Sequence, residues 1–188
     1  MNVADDLILS TRISGNHWSF TLASRLAEML QQAEQRFGPR DATYTPVGFE
    51  FVDNPVPYIW FLGNKGIIVR LPLACANDTV RACYQLAHEC IHMLSPTGGS
   101  HANNLEEGLA TVFSEEYVLS ALGIPFHPGD AKYEAAAADV RTLLADDTDV
   151  IRKIRQIQPH FRNITVENIR QVIPTCSEEL SNRLLSPF

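Results

Sequence analysis

The chain has 188 residues, of which 45% are hydrophobic and 20% are charged. These values are close to the averages of globular proteins and exclude a disordered, collagen-like or coiled-coil chain. The length predicts one domain, residues 1–188, large enough to bury a core. Because 22 acidic residues outnumber 15 basic ones and give a net charge of −7, we expect no nucleic-acid partner.

The start of the chain and the length of its apolar runs indicate the compartment in which the protein is expected. Residues 1–18 include Asp5 and Asp6 and lack a basic segment followed by an apolar run, so they do not resemble a secretory signal. No apolar stretch reaches the roughly 18 residues that predict a membrane span. The four cysteines form no C-x-x-C pair, which predicts free, mostly buried thiols. We therefore expect a cytoplasmic protein without a membrane partner, and its oligomeric state stays open.

The first predicted elements are a helix and three strands. Apolar residues recur at helical spacing over residues 18–37 and stop at Gly38-Pro39. Aromatic and β-branched runs at 44–52, 58–62 and 67–71 predict strands, and a Gly-containing loop joins the last two into a hairpin. Three strands in so short a segment predict a small antiparallel sheet.

The rest of the chain has helical character. Residues 77–79 offer N-cap oxygens to a helix that runs to about Leu94, and a second helix is predicted for residues 103–122. Further helices are predicted at residues 131–145, 150–157, 166–173 and 178–185. This order of elements predicts an α+β fold, with a core in residues 1–122 and a helical C-terminal part in residues 123–188.

The strongest chemical signal is the H-E-x-x-H sequence from His88 to His92, which lies on a predicted helix. Residues four apart on a helix differ by about 40° in direction and about 6 Å in height, so both imidazoles can bind one metal ion. Glu89 then reaches the metal-bound water as a general base. We predict a Zn²⁺ site with His88 and His92 as ligands and Glu89 as the catalytic residue, and Cys90 as a core residue.

Two histidines leave a catalytic zinc ion one protein ligand short. The metzincin pattern is excluded, because Ser95 and Gly98 stand where that pattern needs glycine and histidine. The sequence N-L-E-E-G-L-A at residues 104–110 resembles the E-G-x-A motif of the gluzincins, in which a glutamate on a following helix is the third zinc ligand. This resemblance covers roughly residues 67–120. It implies a zincin-like fold and points to Glu107 as the third ligand.

Helix periodicity alone leaves both Glu106 and Glu107 open as the ligand. Glu106 lies beside the apolar stripe of its helix, and Glu107 lies on the opposite side among small residues. The small residues favour Glu107, because they let the two helices approach closely. A further interpretation is that both acidic residues merely complement the helix dipole in the first turn.

Other residues are candidates for supporting roles. Gluzincin-like enzymes usually add a tyrosine or histidine that stabilises the oxyanion, and Tyr133, His127 and His101 are the candidates here. Tyr84 lies four residues before His88 and either borders the pocket or packs in the core. In zincin-like folds an edge strand aligns an extended substrate, and the hairpin of residues 58–71 is placed for this role.

The sequence thus predicts a zinc-dependent metallopeptidase that acts on a peptide or protein substrate. Two alternatives stay open: a zinc hydrolase for a non-peptide amide, and a catalytically silent binding or regulatory domain that kept the fold. The presence of Glu89 argues against the silent domain, because a structural metal site needs no base.

Overall fold

The structure is a computed structural model that describes residues 11–14, 17–20, 22–99 and 102–188. It begins with a hairpin of β1 (Thr11–Ser14) and β2 (His17–Phe20), which the sequence analysis did not predict. Trp18 pairs with Arg12 in this hairpin, so the prediction of a helix from residue 18 is wrong for its first residues. The helix begins at Leu22.

A three-stranded sheet follows the first helix along the chain. Its strands are β3 (Thr45–Val52), β4 (Tyr58–Phe61) and β5 (Gly66–Pro72), in the spatial order β3-β5-β4. The β4–β5 pair is antiparallel, as the predicted hairpin requires.

The prediction of a wholly antiparallel sheet is wrong, because β3 and β5 are parallel. The physical reason is that residues 53–57 connect β3 to β4 without pairing these two strands. The chain leaves a gap of one strand beside β3 before it forms β4, and β5 then fills this gap between the other two strands. As a result β4 becomes an edge strand.

Most of the remaining described residues are α-helical, and the fold is α+β as predicted. They are α1 (Leu22–Phe37), α2 (Thr79–His92), α3 (Asn104–Leu122), α4 (Ala131–Asp146), α5 (Val150–Ile157), α6 (Val166–Val172) and α7 (Glu178–Leu185). None of the helices in the described ranges is long and apolar enough to cross a bilayer.

Two side-chain caps fix where the helices of the site begin. The Asp78 carboxylate accepts a hydrogen bond from the backbone N–H of Arg81, which confirms the cap predicted at the start of α2. The Asn103 side chain accepts one from the N–H of Glu106 and starts α3 in the same way. Both helices therefore begin at residues that the local sequence specifies.

The core joins one face of the sheet to the helices. Ile67, Val69 and Leu71 alternate along β5 and are fully buried, and they belong to the same apolar cluster as residues of α1, α2 and α3. Helix α2 packs against β5, α1 and α3. The cysteines are free as predicted, with Cys75, Cys83 and Cys90 buried and Cys176 half-buried.

Gly108 lets α4 approach α3 more closely than any other residue would. A Cβ atom at this position would lie 2.3 Å from the carbonyl oxygen of Ala136, which is closer than real side chains come. The glycine of the E-G-x-A sequence is therefore required by helix packing directly beside Glu107. It sets the distance between α3 and α4 at the site.

Candidate metal centre

Helix α2 presents His88 and His92 on one face, one turn apart, with ring centroids 5.0 Å from each other. Helix α3 brings Glu107 to the same place. Its Oε2 lies 3.1 Å from Nε2 of His88, and its Oε1 lies 3.6 Å from Nε2 of His92. One ligand atom from each of the three residues lies within 4.8 Å of the others, so the group can hold one metal ion.

The donor set fits zinc. Two imidazoles and one carboxylate are a ligand combination of catalytic zinc sites, in which a fourth position stays open for water. The structure thus brings together the three residues that the sequence analysis proposed as ligands. Which metal they bind, and whether all three bind it, remain predictions.

Glu106 takes a different position from its neighbour. Its Oε1 lies 2.8 Å from Nδ1 of His92, and the residue is only 3% exposed. With the ring proton on Nδ1, His92 donates a hydrogen bond to Glu106 and keeps the lone pair of Nε2 for a metal. The two glutamates that periodicity could not separate therefore contact opposite nitrogens of one imidazole.

The carboxylates make the site strongly favourable for positive charge. Burial lowers the pKa of His92, but the hydrogen bond to Glu106 and the surrounding carboxylates outweigh it and raise the pKa to about 10. Burial raises the pKa of Glu107, but the hydrogen bond from His88 and the nearby imidazoles outweigh it, so the net pKa is lowered. The field that stabilises a proton here also stabilises a divalent cation.

Glu89 lies at the same site but does not join the three candidate ligands. It is 4% exposed and lines the cleft beside His88 and His92. Burial, the largest effect, raises its pKa, and the charges of Glu106 and Glu107 raise it further against the opposing effect of the histidines. A carboxylate whose pKa is raised binds a proton more strongly, as a general base requires.

The site opens into a cleft of about 520 Å³. Residues 56–61, which include β4, form one part of its wall, and residues 96–99 with Ala102 form another. Apart from the metal-centre residues, the lining is mostly apolar and aromatic. Such a lining is typical of a substrate-binding cleft.

Of the three candidates for oxyanion stabilisation, the structure brings Tyr133 to the cleft. Its ring centroid lies 5.9 Å from that of His88. Burial and the charge of Glu107 raise the pKa of Tyr133 to about 12, so its phenol keeps its proton at neutral pH and can donate it in a hydrogen bond. His127 is exposed and contacts Glu115 instead, and His101 lies outside the described residues.

Tyr84 has a packing role. Its ring lies 4.6 Å from that of Phe126, the residue is 7% exposed, and it is not among the residues that line the cleft. Of the two interpretations given to this tyrosine, the structure supports packing.

Sequence reasoning did not find the contact between Tyr133 and Phe188, whose ring centroids are 4.6 Å apart. No local pattern links two residues so far apart along the chain. The contact of Glu106 with Nδ1 of His92 could have been predicted from one general rule, because a metal-binding histidine usually donates its second ring N–H to a carboxylate or another acceptor.

The chain matches no protein-family model, no curated protein and no solved structure. The resemblance to the gluzincins therefore rests on the two sequence motifs.

Proposed function

We propose that the protein is a zinc-dependent metallopeptidase, with His88, His92 and Glu107 as zinc ligands and Glu89 as the general base. The proposal rests on one observation, namely that the residues of the two sequence motifs lie close together in space. Ligand atoms of the two H-E-x-x-H histidines and of a glutamate from the next helix lie within 4.8 Å of one another, and these residues line a cleft whose remaining wall is mostly apolar. A purely structural metal site would need neither the cleft nor the buried carboxylate of Glu89.

In the proposed reaction each residue of the site has its own role. Zinc, when bound, lowers the pKa of a water molecule towards neutrality and polarises a carbonyl oxygen. The carboxylate of Glu89 takes a proton from the attacking water and passes it to the leaving amine. The hydroxyl of Tyr133 donates a hydrogen bond to the carbonyl oxygen of the substrate as that oxygen gains negative charge. Glu106 holds the ring of His92 in its tautomer and orientation.

The edge strand β4 supports a peptide rather than a small amide as the substrate. Consecutive residues from 56 to 61 line the cleft, although successive side chains of a strand point to opposite faces. The cleft therefore runs along the edge of the strand, where backbone groups are not paired with another strand of the described sheet. An extended peptide can pair with such an edge and place one of its carbonyl groups at the metal centre.

The test uses zinc-loaded protein, a mixture of peptides and mass spectrometry to detect new termini. Glu89→Gln is the matched control, because it keeps the shape of the side chain but cannot accept the proton. We expect wild-type protein to bind about one zinc per chain and to cleave peptides, and Glu89→Gln to keep its zinc and lose cleavage. Equal cleavage by both proteins would point to a contaminating protease, and a wild-type chain without zinc affinity would refute the proposal.

A further inference from the structure

The last described residues of the chain pack against the first turn of α4, beside the cleft. The ring of Phe188 lies against the ring of Tyr133, with centroids 4.6 Å apart, and the ammonium of Lys132 lies 4.0 Å from the centroid of the Phe188 ring. Phe188 thus contacts two neighbouring residues in the first turn of α4. One of them, Tyr133, lines the cleft.

Backbone pairing fixes Phe188 in this position. The N–H of Phe188 donates to the carbonyl oxygen of Ala102 at 3.0 Å, and the N–H of Asn104 donates to that of Ser186 at 3.0 Å. Between these bonds Pro187 and Asn103 form an antiparallel bridge. The segment is therefore attached to the beginning of α3, the helix that carries Glu107.

The ring of Tyr133 has two aromatic neighbours. It meets the His88 ring in an edge-type contact, with centroids 5.9 Å apart, and the Phe188 ring in a tilted contact at 4.6 Å. Among the described residues no hydrogen bond to the Tyr133 hydroxyl is found, so ring packing determines where this hydroxyl points. The close approach of α3 and α4 at Gly108 fixes the backbone of this part of α4 but not the side-chain rotamer of Tyr133.

We propose that Phe188 is a positioning residue, which holds the Tyr133 ring beside His88 so that the phenolic hydroxyl reaches the carbonyl oxygen of the substrate. This inference rests on the proposed peptidase function. Phe188 contacts neither the metal ligands nor the substrate in this role. Its effect is therefore expected on the catalytic step and not on zinc binding.

The test compares three variants of the full, zinc-loaded chain. Phe188→Ala removes the ring, Phe188→Leu keeps an apolar side chain without a ring, and Phe188→Tyr keeps the ring. We expect Ala and Leu to lower kcat about 10- to 100-fold, with KM changed less than about twofold and zinc affinity unchanged. Phe188→Tyr should stay near wild type. Should Phe188→Ala fail to fold, the Leu and Tyr variants make the same comparison.

A double variant connects the effect to Tyr133. Removing the hydroxyl by Tyr133→Phe should itself lower kcat, and adding Phe188→Ala to it should then cost little more, because the group that Phe188 positions is already absent. Additive losses would mean that Phe188 acts by another route and would overturn the inference.

A spectroscopic measurement follows the ring itself. In protein labelled with 3-fluorotyrosine, the ¹⁹F resonance of residue 133 is assigned by its loss in Tyr133→Phe. Phe188→Ala and Phe188→Leu should shift this resonance, and an unchanged resonance would overturn the inference. A shifted resonance with an unchanged kcat would also overturn it and leave the peptidase proposal intact. A wild-type protein that binds zinc and cleaves no peptide would refute the proposed function, and the inference would fall with it.

Discussion

Glu106 and Glu107 are adjacent in the chain, yet they contact opposite sides of the His92 imidazole. Glu106 lies 2.8 Å from Nδ1, and Glu107 lies 3.6 Å from Nε2. Only Glu107 also reaches His88, at 3.1 Å. The two carboxylates therefore have separate roles. Glu107 lies at the proposed metal position, and Glu106 contacts the other ring nitrogen of the proposed ligand His92.

The first prediction separates these tasks by zinc affinity. Glu107→Ala should weaken zinc binding by orders of magnitude, because it removes one of three protein ligands. Glu106→Ala should weaken it about 10- to 100-fold, because the His92 ring loses the partner that orients it. Competitive titration against a chelator measures both, and Glu106→Gln, which keeps a hydrogen-bond acceptor at Nδ1, is the control. If Glu106→Ala proved the more damaging change, the roles of the two glutamates would be reversed.

The parts of the site that could be predicted are those that local sequence specifies. The spacing of His88 and His92 and the cap at Asp78 each act within one helix, so both appear directly in the sequence. The choice between Glu106 and Glu107 could not be made from periodicity, because an imidazole offers a nitrogen on each of two sides. Neighbouring residues of α3 can therefore both face His92.

The relationships that escaped prediction all depend on contacts between distant parts of the chain. The parallel pairing of β3 with β5 depends on a crossing by residues 53–57, which carry no pattern that specifies the neighbour of each strand. The position of Phe188 against Tyr133 depends on how the end of α7 leads back to the start of α3. Such contacts are decided by the packing of the whole molecule.

The second prediction concerns the cysteines. Burial raises the pKa of Cys75 and of Cys83 to about 11, and burial raises that of Cys90 as well, so all three remain protonated and shielded at pH 8. Cys176 is only half-buried. In native protein a thiol reagent should therefore modify Cys176 first, as intact mass spectrometry would measure. Cys176→Ser should abolish this fast reaction, and fast labelling that persisted in the variant would contradict the burial of the other three.

The third prediction tests a buried arginine that joins the ends of three helices. The guanidinium of Arg155, which is 4% exposed, donates hydrogen bonds to backbone carbonyls at the ends of α1, α2 and α5, namely those of Phe37, Gly38, Pro39, Leu94 and Pro159. Arg155→Ala removes a hydrogen-bond donor from each of these acceptors, of which the Leu94 oxygen keeps a second donor, the N–H of Asp41. It should lower the free energy of unfolding by about 3 kcal/mol. Denaturant titration measures this loss.

The matched control is Arg152, which lies on the same helix with its side chain 41% exposed, pairs with Asp149, and donates one hydrogen bond, at 3.4 Å, to the carbonyl oxygen of Gln35. A surface ion pair of this kind contributes little, so Arg152→Ala should barely change the unfolding midpoint. Equal effects of the two substitutions would show that the carbonyl contacts of Arg155 do not stabilise the fold.

The last prediction concerns Gly108, where two opposite effects can be weighed. Gly108→Ala gains about 1 kcal/mol of helix propensity, but its Cβ would lie 2.3 Å from the carbonyl oxygen of Ala136, a backbone atom that cannot move without its helix. Forcing the helices apart costs about 1 to 3 kcal/mol, and it also displaces Tyr133 from the cleft. We therefore expect a net loss in the free energy of unfolding, together with a lower kcat.

Gly63→Ala is the control for Gly108→Ala, because a Cβ at Gly63 meets no atom within 4 Å and its backbone does not require glycine. This substitution should leave both stability and kcat close to wild type. The two measurements separate the effect of a close helix contact from that of losing a glycine. A Gly108→Ala protein as stable and active as Gly63→Ala would mean that α3 and α4 need not approach this closely, and that the glycine beside Glu107 serves another purpose.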